Sequence, residues 1–206
     1  LSICRSGCEG SRSVPPPPYG SSIVSSVERC GDEVLVFDGE INPEYIQSNS
    51  IEYIVSFGYR YIITSETLDA VRGLAINLHI SYLPYNKGAH PNLWSNADGK
   101  PSGVTIHKVD KGLDTGNILF QKEVPINQSV HTFSSSYKLL VGEIERLFDL
   151  NWCYLRTGEC SGWRQQGRGT FHYAKEADAL MPCLPSGWDT NISEFKRRYL
   201  EMLAAG

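Results

Sequence analysis

Between Glu33 and Ile80 the chain keeps returning to one pattern, a short run of β-branched and aromatic residues followed by a link and then another such run. Glu33-Val-Leu-Val-Phe reads as a second strand, and Ile51-Glu-Tyr-Ile-Val-Ser-Phe-Gly-Tyr-Arg as a third that ends at a glycine. Ser65 to Val71 follows as a short helix with a serine cap, Leu68 and Val71 turned inward, and Gly73 as its stop. Leu74 to Ile80 is the fourth strand. Leu1-Ser-Ile-Cys is the end of a first strand, separated from the second by a short helix, Ser22 to Cys30. Strands alternating with helices predict an α/β fold of Rossmann-like type, with a mostly parallel central sheet flanked by helices. In such sheets ligands sit beyond the carboxyl ends of the strands.

The remainder supports one catalytic domain over residues 1–160 and a short C-terminal extension, 161–206, packed on it. Val104-Thr-Ile-His-Lys-Val and Asn117-Ile-Leu-Phe-Gln-Lys-Glu-Val are two strands joined by a polar loop. From Thr132 to about Arg156, Phe133, Tyr137, Leu140, Ile144 and Leu147 recur at helical spacing. Gln165 to Tyr173 is extended, and Ser193 to Ala204 is a final helix. Arg5 to Gly20 contains four consecutive prolines and is a loop, because proline fixes φ and removes a donor.

A net charge of −4 and a pI of 5.7 argue against nucleic acid as a partner. No apolar stretch approaches the ~20 residues that span a bilayer, and no secretory signal is present, so a cytoplasmic protein is expected. In that setting the six cysteines are expected as reduced thiols, since a chain with a full core needs no staples. Their spacing lacks the tight pairs of a zinc site, and His79, His90 and His107 are not spaced to converge on a metal. No metal is expected.

The chemistry concentrates where the fourth strand ends. Alternation puts Asn77 and His79 on one face, and Ile76, Leu78 and Ile80 on the other. Downstream, Lys111-Gly-Leu-Asp-Thr-Gly, flanked by Asp110, can return Asp114 to the same sheet edge. An amide, an imidazole and a carboxylate supply an oxyanion donor, a proton-transfer group and a charge that sets the imidazole. No nucleophile completes a triad, so the pattern suits direct acyl transfer to an amine carried by the substrate. His107 shares a strand face with Thr105 and Val109 and reads as structural.

Asn77-Leu-His79, Leu83-Pro84, Lys87-Gly88, Gly103-Val-Thr-Ile-His107 and Leu113-Asp114-Thr-Gly116, in this order and spacing, resemble the 10-formyltetrahydrofolate-dependent formyltransferases over about Ile51 to Val124. Gln166-Gly-Arg-Gly-Thr-Phe-His-Tyr and Asn86-Lys-Gly-Ala-His-Pro-Asn-Leu-Trp94 are similar to members that formylate nucleotide-linked amino sugars and to formylation domains of nonribosomal peptide synthetases. The resemblance implies a formyltransferase fold, 10-formyltetrahydrofolate as co-substrate, and Asn77, His79 and Asp114 as catalytic residues. It implies folate contacts, largely through backbone, at Arg60, Tyr61, Ile62, Ile63, Leu83, Val109, Asp110 and Gly112. Asn86, Lys87 and His90 are candidates for the acceptor side. Ile80 stands where members usually carry proline.

The favoured acceptor is the amine of a nucleotide-linked amino sugar. The alternatives are an aminoacyl group on a carrier protein, a folate-binding module without catalysis, or hydrolysis of the formyl donor by water. An initiator-tRNA acceptor would call for an RNA-binding domain, for which residues 157–206 of this acidic chain are too few.

Overall fold

The computed structural model describes residues 2–5 by their backbone and residues 21–205. The proline run and Cys8 lie outside these residues, as does the side chain of Cys4. Eight strands are described: β1 Ser2–Arg5, β2 Glu33–Val36, β3 Tyr53–Phe57, β4 Ala75–His79, β5 Lys87–Gly88, β6 Gly103–Lys108, β7 Ile118–Glu123 and β8 Phe171–His172. The helices are α1 Ser21–Arg29, α2 Pro43–Ser48, α3 Ser65–Ala70, α4 Pro91–Ala97, α5 Phe133–Leu155 and α6 Ile192–Ala205, with two 3-10 segments, Ala174–Cys183 and Gly187–Asp189. Six strands form one sheet in the order β2-β1-β3-β4-β6-β7, while β5 and β8 form a second, two-stranded one.

The expectation of a mostly parallel sheet is wrong. β1 runs antiparallel to both of its neighbours, β2 and β3. β2 and β3 therefore run in the same direction, and β3 pairs with β4 in parallel. Alternation of strand and helix does give co-directional strands from β2 to β4, but β1 is inserted between two of them in reverse. β6 and β7 face each other as a hairpin, with Lys108 N–H on the Asn117 carbonyl (2.9 Å) and Val124 N–H on that of Ser102 (2.9 Å). A polar link with no helix is too short for a parallel crossover, so it closes an antiparallel pair. The sheet is mixed.

Two compact units share the chain. The first comprises residues 1–79, 106–120 and 144–165, and the second residues 80–105, 121–143 and 166–206. In the first, Ile41, Ile46, Ile51, Ile54, Ile63, Leu68, Val71 and Ala75 form one buried cluster, against which Val109 packs. α2 starts where Asn42 accepts the Tyr45 N–H (2.8 Å) with Pro43 at the first helical position. α3 is capped by Thr64, one residue before the expected serine, which accepts the Thr67 N–H (3.3 Å). In the second unit, Leu93, Phe133, Leu180, Ile192 and Phe195 are core. The buried stripe of α5 runs through Phe133, Leu140, Ile144, Phe148, Trp152 and Leu155, whereas Tyr137 is exposed.

The cysteines depart from expectation as well. Cys30, just after α1, and Cys153 in α5 form a disulfide with Cα atoms 6.1 Å apart. Sequence spacing of 123 residues hides the pair, which α1 and α5 bring together. Around it the Trp152 indole N–H donates to Asp32 (3.0 Å), Arg156 pairs with Asp32, and Arg29 pairs with Asp149. Cys160 and Cys183 are free and buried, and burial pushes the Cys183 thiol up.

Candidate active site

β4 builds the site by strand alternation. Ile76 and Leu78 are buried, and between and beyond them Asn77 and His79 share the other face, His79 being 7 % exposed. β3 fixes the register beside it, with Ser56 opposite Asn77 and Phe57 opposite Leu78. Asp114 joins them across 37 residues of chain, its Oδ1 accepting from Asn77 Nδ2 at 3.2 Å. Its other carboxylate oxygen lies 3.7 Å from His79 Nε2. The three residues expected to be catalytic are thus assembled in one cluster within the first unit, His79 and Asp114 buried and Asn77 half-buried.

His107, expected as structural, adjoins the cluster. His107, 2 % exposed on β6, donates from Nδ1 to the Lys108 carbonyl at 2.8 Å. In the neutral ring that tautomer leaves Nε2 as an acceptor. It takes an Asn77 Nδ2–H at 3.2 Å and stands 3.4 Å from Asp114 Oδ1. The two imidazoles of His79 and His107 meet edge to face, with centroids 6.2 Å apart. The amide of Asn77 therefore aims one hydrogen at His107 and the other at Asp114, which fixes its orientation. The signal was available: His107 lies on the alternating face of its own strand, but sequence does not say which strand that face meets.

The loop after β6 brings Asp114 back. Asp110 Oδ1 accepts from Gly112 N–H (3.1 Å) and the Thr115 hydroxyl (2.6 Å), tightening the turn. Asp114 itself holds φ 53°, a left-handed conformation that a non-glycine residue adopts only when its surroundings hold it there. Gly116 then passes so close to β6 that a Cβ would sit 1.8 Å from the Lys108 carbonyl oxygen. Only glycine lets the loop close here.

The segments expected to meet folate are distributed unevenly. Ile63 and Val109 lie in the same packed cluster, while Ile62 (76 %), Leu113 (53 %) and Tyr61 (41 %) expose apolar side chains. Arg60 and Asp110 are exposed and Gly112 shapes the loop. Leu83, in the second unit, is buried, its N–H on Thr105 Oγ1 (3.3 Å) and its carbonyl accepting from Gln121 (2.8 Å). Its backbone groups thus already have protein partners.

The acceptor-side candidates belong to the second unit. Asn86 N–H donates to Thr170 Oγ1 (2.7 Å), and β5 pairs in parallel with β8, Lys87 beside Phe171 and Gly88 beside His172. Gly88 is needed, since a Cβ would meet the His172 carbonyl oxygen at 2.4 Å. His172 in turn faces Asp98 Oδ2 (2.9 Å) and Glu176 Oε2 (3.3 Å) and stacks on Trp94 at 3.9 Å. His90 precedes α4 but makes no side-chain cap, and its ring instead lies against Trp188 with centroids 5.6 Å apart. Among the described residues no cluster of three His, Cys, Asp or Glu side chains is arranged to hold a metal. No helix among them is long and apolar enough to cross a membrane.

A half-buried amide beside a buried imidazole and a buried carboxylate, on an inner strand of a mixed α/β sheet, is the arrangement that suits acyl transfer. Residues 33–141, just over half of the chain, match the family model described as formyl transferase, and the chain belongs to that family. It is 39% identical to the formyltransferase PseJ of Anoxybacillus kamchatkensis, whose crystal structure holds UDP-4,6-dideoxy-4-formamido-L-AltNAc and tetrahydrofolate. That likeness covers 84% of this chain and 91% of the other, with a TM-score of 0.79. A sugar N-formyltransferase from Shewanella sp FDAARGOS_354 is 29% identical over 68% of this chain and 58% of its own, with a TM-score of 0.60. Among curated proteins, the methionyl-tRNA formyltransferase of Thermodesulfovibrio yellowstonii is 38% identical over 50% of this chain and 34% of its own length. The dTDP-4-amino-4,6-dideoxyglucose formyltransferase of Mycobacterium bovis is 32% identical over 63% of this chain and 54% of its own. The chain spans about a third to a half of the length of these curated relatives.

Proposed function

We infer that this protein is an N-formyltransferase that moves the formyl group of 10-formyltetrahydrofolate to the amine of a nucleotide-linked amino sugar. The observation that carries this reading is the cluster of half-buried Asn77 with buried His79 and Asp114. 10-Formyltetrahydrofolate supplies the formyl carbon that the acceptor amine attacks. The residues present suit that ligand: exposed Ile62, Leu113 and Tyr61 offer apolar surface to a planar ring, and the tight Val109 to Gly112 loop offers backbone groups. Arg60, Ile63, Asp110 and the neighbourhood of Leu83 complete the proposed folate contacts.

Asn77 and a protonated His79 stabilise the negative charge that develops on the formyl oxygen. For that, Asn77 must turn one N–H away from Asp114. The carboxylate is the group that can release it, because Asp114 Oδ2 stands only 3.7 Å from His79 and closes on the imidazolium as its charge is needed. His107 keeps the other Asn77 hydrogen and so holds the amide plane in place. The Asp114 carboxylate takes the proton that the amine sheds, directly or through water, and returns it to the departing nitrogen, while His79 stays the charged donor.

For the acceptor, the likeness to PseJ over nine-tenths of that chain favours a UDP-linked amino sugar, with Asn86, Lys87 and His90 on its side and residues 161–206 as an extension serving it. Release of tetrahydrofolate from the formyl donor, followed with and without a panel of UDP- and dTDP-linked amino sugars, tests the reading. Release that depends on one such amine and yields its formamide is expected. Release that no amine accelerates would make the protein a hydrolase of the donor, and folate binding without release would make it a binding module. A cytoplasmic location belongs to the same reading and implies reduced thiols. The Cys30–Cys153 bond stands against it, and thiol labelling of protein taken from intact cells decides between them.

A further inference from the structure

We propose that Gln165 is a positioning residue for the reaction, holding Asp114 in its left-handed conformation through a clamp on the loop that carries it. Its Nε2 donates to the carbonyl of Asp114 at 2.8 Å and to that of Gly116 at 2.9 Å, so both amide hydrogens are committed to the backbone on either side of Thr115. Asp114 keeps φ 53°, a conformation costly for a residue with a side chain, and such strain persists only where neighbours over-determine it. The turn below it is fixed by Asp110, and Gly116 is pressed against Lys108. Gln165 adds the grip from above.

The clamp is itself built into the sheet edge. Trp163 and Ile118 exchange both backbone hydrogen bonds, each 2.9 Å, and Asn117 Nδ2 reaches the Ser161 carbonyl at 3.4 Å. Gly162 passes so close that a Cβ would meet the Ile118 carbonyl oxygen at 2.2 Å. Residues 161–165 therefore run along residues 114–118 as a strap, and Gln165 is the point at which the strap touches the catalytic loop. Gln165 Oε1 is buried with no hydrogen-bond partner among the described residues. A buried acceptor left this way is unfavourable, so the amide is oriented by what its two hydrogens hold. A shift of the Asp114 carboxylate would alter its contacts with both Asn77 and His79, and a displacement of about 1 Å in a catalytic group can lower a rate by about a hundredfold.

The inference rests on the reading of Asp114 as catalytic, and the two fail separately. Gln165→Met keeps the length and removes both donors, while Gln165→Glu sets a carboxylate against two carbonyl oxygens. With the formyl donor and an accepted amine, each lowers kcat by about 10- to 100-fold and leaves the KM for the folate within about twofold of wild type. In Gln165→Met the ring 15N signals of His79 and His107 also move, although thermal unfolding shows the chain folded. Wild-type kcat in both variants would overturn the clamp while leaving Asp114 intact. Loss of rate in proportion to loss of folded protein, with unchanged histidine signals, would overturn it too. Full activity of Asp114→Ala would instead overturn the reading beneath it.

Discussion

The cluster on β4 and the segment from Asn86 to His90, to which the proposed function gives different work, are built differently. The first places Asn77 and His79 on one strand two residues apart, so backbone periodicity alone aligns them, and Asp114 and His107 are brought from elsewhere. The second is a two-residue strand held by partners 84 residues away, with a glycine at its contact point and a histidine in a left-handed turn at its end. A group that must meet a reacting atom is set on a rigid strand. The segment proposed to meet the acceptor is assembled from remote pieces that can vary independently.

The contrast predicts which kinetic constant each change will move. Asp114→Ala and Asn77→Ala, in the first region, should lower kcat by about a hundred- to ten-thousand-fold with little change in the KM of either substrate, measured by steady-state formyl transfer. Near wild-type turnover in either would remove the assigned roles. His107→Leu removes one of the two acceptors of the Asn77 amide and should lower kcat by about ten- to a hundredfold with the fold intact by circular dichroism. A purely structural His107 would lower the melting temperature and spare kcat. In the second region, Gly88→Ala forces a Cβ to within 2.4 Å of the His172 carbonyl oxygen, so β5 and β8 must separate. The acceptor KM should rise about tenfold, equivalent to about 1.4 kcal/mol, while that of the folate stays put. A fall in kcat alone would erase the division between the two regions.

The smallest effect lies away from both. Tyr59 accepts the Ile41 N–H and donates to the Gly39 carbonyl, each 3.0 Å, and Tyr59→Phe should cost about 1 kcal/mol in chemical denaturation without touching turnover. Burial is the main cause that raises its phenol above the usual 10.0. Because the folded-state value is the higher one, this contribution is complete below pH 10 and is lost as pH rises through the raised value.

Much of the first region was legible before any coordinates. The 3.3 Å rise and alternation of a strand determine that Asn77 and His79 share a face, whatever the fold around them. The glycines of the Asp114 loop announced a turn tight enough to return a carboxylate. What alternation leaves open is which strands become neighbours and in which sense. Thus β1 entered between β2 and β3 in reverse, and His107 proved to face Asn77. The same limit hid the Cys30–Cys153 bond, the β5–β8 pair and the reach of Gln165 to Asp114, all contacts between residues more than 50 positions apart. Local propensity carries no information about such pairings; packing decides them.

In the proposed reaction the cluster passes the formyl group straight from donor to amine without lodging it on the protein. A single turnover with 13C-labelled 10-formyltetrahydrofolate and a UDP-linked amino sugar, quenched at successive times and read by mass spectrometry of both sugar and intact protein, tests it most directly. Direct transfer puts label on the sugar amine at the rate at which tetrahydrofolate forms and none on the protein at any time, and Asn77→Ala loses both the labelled sugar and the tetrahydrofolate. Label that appears first on the protein and only later on the sugar, or a sugar that stays unlabelled while the donor is consumed, would contradict it.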